Sequence, residues 1–522
     1  MSNNFRMDVN RLVAIDLGTT NSTGHMWLTE QVCSIDWNNS SLFPSNVVKH
    51  ATGIIACDTT EKPRDPFVRN FKRLLGQTYE EYLKMKYDDG TFGCEVICGA
   101  DGNPRFKLNE TCILSPEEVA AEVIKHIMHQ AKIRNDKVDT VIVTIPANYS
   151  SRQKKATLKA VELAGYKCYG LLPEPTAAAL SYLLKDTRET STFLVYDLGG
   201  GTFDVSLLEY RDDKIRILQT NGDIHLGGND FDVALMEAII KEYESVSGKH
   251  LFTNKKRAKL HRAKLLLASK GVKEGLCTTQ SKDIDLTDIF GDDVDEEYRQ
   301  LQITQSMLNS CISNYIERTW KIVDETIAKE AKKRETLSKM GEVFSVGNIT
   351  KILLVGGSSQ LPLVLETMKK RFNESMIVKV NKMTCVGEGA FYHVVNMNNS
   401  ENHITVQTSL GCALGLGVDK HLVYRMFPQF SNIPCSRYVE VKFNREQQDT
   451  VKTALFEGKM DEQITDSSLC SLVSMITLPL PRGAAENDFI LHCELEDENR
   501  FILTCLDSKT RKSLSSSVTV EL

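Results

Sequence analysis

Two glycine-threonine loops constrain this chain more than any other feature, and each follows an aspartate that ends an apolar run. The first reads Leu12-Val-Ala-Ile-Asp16-Leu-Gly18-Thr19-Thr20-Asn21-Ser22. The second reads Phe193-Leu-Val-Tyr-Asp197-Leu-Gly199-Gly200-Gly201-Thr202-Phe203-Asp204-Val-Ser206. In both, a strand delivers a carboxylate and then a turn where glycine lets backbone N–H groups close on a phosphate. The threonine hydroxyls add donors. One such loop is equally an ordinary hairpin turn. Two copies in one chain point instead to a nucleotide clamped between two related halves.

At 522 residues the chain is too long for one core and is expected to divide into several domain-sized units. Its apolar fraction of 41% and charged fraction of 25% are those of a globular protein in water. A net charge of −6 gives no support to nucleic-acid or anionic-membrane binding, both of which need clustered Lys and Arg. No apolar run approaches a membrane span, and the start, Met1-Ser-Asn-Asn-Phe-Arg, lacks a signal peptide's apolar centre. The fourteen cysteines are scattered singly, without a CxxC pair, which reads as reduced thiols rather than a metal or disulfide framework. A cytoplasmic location is the expectation.

Up to about Val395, short β-branched runs alternate with amphipathic stretches, the mark of an α/β architecture. Ser115-Pro116-Glu117-Glu118 reads as a capping box that opens a helix with the stripe Val119, Val123, Ile124, Ile127 and Met128. Val141–Ile145 reads as a buried strand ending at Pro146, followed by a lysine-rich helix from Ser151 to Gly165. Helical blocks are expected over 254–270 and 302–333, forming a smaller lobe. The polar stretch from Asn396 to His403 reads as a linker. Beyond it, short strands such as Val439–Phe443, Lys452–Phe456, Phe489–Cys493, Phe501–Cys505 and Ser517–Glu521 predict a β-sandwich.

The motifs resemble those of the seventy-kilodalton heat-shock chaperones nearly end to end. They include Phe71-Lys72-Arg73-Leu-Leu-Gly76, Val143-Thr-Ile-Pro146, Leu172-Pro-Glu174-Pro175-Thr176, His225-Leu-Gly227-Gly228-Asn-Asp230-Phe-Asp232 and Leu354-Val-Gly356-Gly357-Ser358-Ser. The C-terminal likeness, through Ser409-Leu410, Ile433-Pro434, Phe456-Glu457-Gly458 and Leu480-Pro481-Arg482-Gly483, is weaker. The resemblance implies an actin-like two-lobed ATPase domain of duplicated ribonuclease-H-like subdomains over 1–395. A linker over 396–407 and a β-sandwich peptide-binding domain over 408–522 would follow, here expected without the helical lid of the family pattern. It also implies slow ATP hydrolysis, with ATP or ADP and Mg²⁺ as cofactors and K⁺ as a further cation. Unfolded or extended polypeptides, J-domain co-chaperones or another chaperone would be the partners.

By the same resemblance, Gly18, Thr19, Thr20 and Asn21 would cradle phosphates from one side, and Gly199, Gly200, Gly201 and Thr202 from the other. Asp16, Glu174 and Asp197 would hold Mg²⁺ through its waters, since Mg²⁺ takes few direct protein ligands, and Asp204 would help hold the monovalent cation. Lys72, with Glu174, Asp197 and Thr202, would serve the chemistry. Gly228, Lys264, Gly356, Gly357 and Ser358 would complete the nucleotide contacts. Taken alone, Lys72 would be a solvated surface lysine and Glu174 a turn residue; their motifs lift them. Leu414, Phe443 and Val451 are candidates for the peptide pocket or, equally, plain sandwich core.

Three departures stand out. Aligned through Arg262-Ala263-Lys264, the base-gripping positions become His261, Lys264, Leu265 and Ala268, with Gln360 and Met383 replacing further polar anchors, which predicts weakened nucleotide affinity. The linker stretch His403–Gln407 lacks the family's leucine-rich acidic strip, and Lys154 stands where an arginine relay partner is expected to Pro146. A catalytically weak regulator of another chaperone is the rival reading. A sugar kinase on the same fold is a third, disfavoured by the missing acceptor aspartate.

Overall fold

The computed structural model describes residues 7–50, 53–57, 67–85, 87, 91–185, 189–252, 258–291, 294, 296–337, 344–378, 380–399, 403–419, 421–440, 450–479, 489–497, 500–514 and 516–522. The chain divides into two compact units. The first holds Met1–Ile145, Ala156–Leu208 and Gln219–His403; the second holds Pro146–Lys155, Glu209–Leu218 and Ile404–Leu522.

The first unit is built on two sheets with the same plan. In one, the order is Lys167–Pro173, Thr140–Ile145, Leu12–Asp16, Asn21–Leu28 and Gln31–Ser34. Leu12–Asp16 pairs in parallel with Thr140–Ile145 and antiparallel with Asn21–Leu28. In the other, Lys351–Val355 pairs in parallel with Ser191–Leu198, next to which lie residues 203–208 and then 219–223, the parts of the two following strands that belong to this unit. Each sheet thus has a central strand that leads through a glycine-threonine loop into its neighbour, and a later strand that returns beside it in parallel. This is the two-lobed, duplicated α/β plan expected from the twin loops. Leu12, Val13, Ala14 and Ile15 are all fully buried, as the unbroken apolar run of a strand covered on both faces requires.

Helices cover these sheets where the sequence signals them. Pro116–Arg134 begins with a complete capping box, Ser115 accepting from the Glu118 N–H and Glu118 closing back on Ser115. Its stripe of Val119, Val123, Ile124, Ile127 and Met128 is fully buried. The expected smaller-lobe helices run over Ala258–Gly275 and Gln305–Leu337; positions 254–257 of that expectation lie outside the described residues. Helix Glu174–Leu183 crosses helix Cys385–Met397 so closely that a Cβ on Gly389 would sit 1.8 Å from the Ala177 carbonyl oxygen. Only glycine permits that approach.

In the second unit, one sheet runs Ile464–Asp466, Leu422–Phe427, Ala413–Asp419, Thr450–Gly458 and Cys470–Pro479, and the other Cys435–Glu440, Phe489–Asp497, Arg500–Asp507 and Val518–Glu521. Leu416, Met426, Leu455, Leu478, Leu495, Phe501 and Leu503 form their shared core, giving the β-sandwich. The stretch read as a linker carries some regular structure at both ends. The helix extends to Met397, and Thr405–Val406 form a short strand in parallel with Lys214 and Ile215. Ile404 is fully buried there, so even a polar-looking segment contributes one apolar anchor and two ladder bonds, Thr405 N–H to Asp213 and Gln407 N–H to Ile215. Pro146 and Lys154 belong to this second unit.

Candidate active site

The site grows from the two strand ends. Asp16 ends its strand opposite Thr144, whose hydroxyl donates to Asp16 Oδ1 at 2.6 Å. Asp197 ends the matching strand opposite Val355, immediately before Gly356. The two loops that follow meet. A Cβ on Gly200 would lie 2.4 Å from Thr20 Oγ1, so a side chain there would push the loops apart. Arg73 crosses from the first half to donate from Nη2 to the Gly201 carbonyl at 2.5 Å. The Thr20 hydroxyl is buried with no hydrogen-bond partner. A buried unpaired hydroxyl at the meeting point of two glycine loops fits an oxyanion acceptor supplied by a ligand.

A third loop locks onto the second: the Gly228 N–H donates to Gly199 at 3.0 Å and the Asn229 N–H to Gly200 at 2.7 Å. Ser358, from the loop after Lys351–Val355, comes within 2.5 Å of where a Gly228 side chain would begin. Lys72 lies in the short 3-10 turn Phe71–Leu74, is only 8% exposed, and donates to Glu174 Oε1 at 2.6 Å. It is not the solvated lysine that composition alone suggests. Glu174 opens the helix Glu174–Leu183, where the helix dipole favours a carboxylate.

Four carboxylates share this cleft with one ammonium group. Loss of solvation, then repulsion from Glu174, pushes Asp16 up to about 6 and Asp204 up to about 7. Asp197 is raised well above the ordinary carboxylate range by loss of solvation, then by Glu174, Asp204 and Asp16. Each therefore gives up its proton less readily than a free carboxyl, and a nearby cation would favour the ionised form. Among the described residues, no three His, Cys, Asp or Glu side chains converge to ligate one ion directly. The donor set consequently fits a metal that keeps its water shell, as Mg²⁺ does, better than one stripped of it.

The positions aligned with the base side differ in exposure. Lys264 is exposed, and its Nζ reaches the Asp288 carbonyl at 3.4 Å. His261 and Leu265 are buried; the His261 ring meets Phe290 edge-on at 5.0 Å. The lysine of that helix that does reach the phosphate loops is Lys273, which donates to the Gly228 carbonyl at 2.8 Å and pairs with Asp232 at 2.7 Å. Nine residues separate it from Lys264, two and a half turns, or roughly 13 Å and half a rotation. Lys264 and Lys273 therefore lie on different faces of that helix, with Lys273 at the third loop. Met383 does lie against Gly357, its Sδ 3.1 Å from the position of a Cβ there, and Gln360 is exposed. Thr144, Arg73, Asp232 and Lys273 had no assigned role. The first three lie inside motifs already noted, whereas Lys273 carries no motif. Of the peptide-site candidates, Leu414 and Val451 are 1% and 3% exposed in the sandwich core, and Phe443 lies outside the described residues.

With this geometry in place, the comparisons decide the family. The family model for Hsp70 protein matches residues 12–497. The chain belongs to the Hsp70 family. The chaperone protein DnaK of Guillardia theta is 27% identical over 98% of this chain and 79% of its own length. The match spans both halves of the first unit and most of the sandwich, so the Hsp70 fold of a two-lobed actin-like domain followed by a β-sandwich accounts for the whole described architecture. Among the described residues, no helix of this Hsp70 relative is long and apolar enough to cross a membrane.

Proposed function

We propose that this Hsp70-family chain binds Mg²⁺–ATP between its twin loops, hydrolyses it slowly, and uses its sandwich to hold extended apolar polypeptide. One observation carries the reading. The two glycine loops meet at Thr20 and Gly200 and leave the Thr20 hydroxyl buried without a partner. Phosphoryl transfer to water asks mainly for positioning and charge neutralisation. Backbone N–H groups of 18–20 and 199–202 and the hydroxyls of Thr19, Thr20 and Thr202 would grip the phosphates. Asp16, Glu174 and Asp197 would hold hydrated Mg²⁺, which when bound screens the phosphate charge, and Asp204 would face a K⁺ ion. Lys72, paired with Glu174, would orient the attacking water and stabilise negative charge as it develops. Lys273 would hold the third loop through the Gly228 carbonyl.

Because Leu414 and Val451 are core, peptide would be recognised chiefly by strand-like backbone pairing along the sandwich. J-domain proteins are the partner class that such a cycle would use, in the cytoplasm and under stress. Calorimetric titration with ATP, ADP and GTP, with and without Mg²⁺, tests the first step. Saturable Mg²⁺-dependent binding of adenine nucleotides is expected. Loss of all nucleotide binding would instead favour a non-catalytic regulator of another chaperone.

A further inference from the structure

Away from the carboxylate cluster, the first unit holds a cavity of about 690 Å³, the size of many small-molecule sites. Its walls include His25, Ser34, Tyr182, Lys185, Lys351 and Glu388. They come from the hairpin Asn21–Leu28 and Gln31–Ser34, the end of helix Glu174–Leu183, strand Lys351–Val355 and helix Cys385–Met397. The charges do not balance. Lys185 Nζ and Glu388 Oε1 neutralise each other at 2.5 Å. The Lys351 ammonium lies over the Tyr182 ring, 5.6 Å from its centroid, and has no acidic partner among the described residues.

The hydroxyl of Ser34 is the second donor. His25 is 2% exposed, and burial together with Lys185 depresses its imidazole to about 3, so the ring is neutral. Its Nδ1 is buried without a partner, and its Nε2 lies 3.2 Å from Ser34 Oγ. A buried N–H without an acceptor costs more than an idle lone pair, so the proton belongs on Nε2 and is donated to Ser34. The Ser34 O–H is then left free to donate into the cavity.

We propose that this cavity binds a small organic oxyanion, a carboxylate or a phosphate ester, held by the Lys351 ammonium and the Ser34 hydroxyl. Titrations of the full chain with citrate and with glycerol 3-phosphate, at constant ionic strength and without nucleotide, test it by ligand-observed NMR. Saturable one-to-one binding of at least one probe is expected, and which probe binds identifies the anion class. Lys351→Met should weaken that binding about tenfold, the usual loss for one charge-assisted contact. Ser34→Ala, a smaller change to the fold, should weaken it as well. Lys185→Met should do so too, by freeing Glu388 to compete for Lys351. Lys72→Ala should leave it unchanged. The proposal is overturned if neither probe exceeds a chloride control. It is also overturned if Lys72→Ala abolishes binding that Lys351→Met and Ser34→Ala leave intact, since the anion would then occupy the phosphate loops.

Discussion

Lys72 and Glu174 are 8% and 13% exposed, and removing Lys72 takes away the cation that faces Glu174 and the three aspartates. Lys72→Ala is therefore expected to cut single-turnover hydrolysis about 10²–10³-fold while changing ADP affinity far less, because its charge serves the transition state; equal loss in both measurements would show a binding role only. A different titration marks His25 and His393, which burial depresses to about 3 and about 4. A histidine held neutral in the fold adds stability that is complete above about 6.5 and lost as pH falls towards its folded value. Asp16, Asp197 and Asp204 are raised and act with the opposite sign, gaining stability on acidification. The histidine contribution must be read as a difference. Urea midpoints of wild type minus His25→Gln should fall between pH 7.5 and pH 5, and a flat difference would remove His25 as an acid-sensitive group.

Whole elements were legible wherever a local rule sufficed. The Ser115 capping box, the fully apolar runs at 12–15 and 141–145, and glycine turns after Asp16 and Asp197 each name their structure unaided. Helix Ala258–Gly275 shows where such rules stop. It carries lysines on several faces, and the one that matters, Lys273, grips a backbone carbonyl, a contact that demands no special partner residue and leaves no motif. In the sandwich, strands Ile464–Asp466 and Cys470–Pro479 went unmarked because they expose Ile464, Leu472 and Met475, so apolar and polar positions do not sort cleanly by face. The crossing of helices Glu174–Leu183 and Cys385–Met397 was equally silent in sequence, because Gly389 matters through what it lacks. Gly389→Ala must move backbone on both helices and should cost about 1–3 kcal/mol, as overpacked core substitutions do; thermal unfolding measures it, and an unchanged midpoint would mean the helices separate freely.

At the scale of the molecule, the carboxylate cleft makes stability depend on what fills it. Mg²⁺–ADP should raise the melting temperature in proportion to the logarithm of its concentration, and chelation with EDTA should reverse most of that gain; a melting temperature indifferent to the metal would argue against an acidic site that needs neutralising. The bare contact of Gly389 on Ala177 has a mechanical consequence of its own. Two rods touching backbone to backbone can turn about that point but cannot slide, so it works as an axle rather than a cushion. Because Ala177 sits one turn beyond Glu174 on the same helix, substitutions at this bearing would carry any tilt of the rods straight to the Lys72–Glu174 pair.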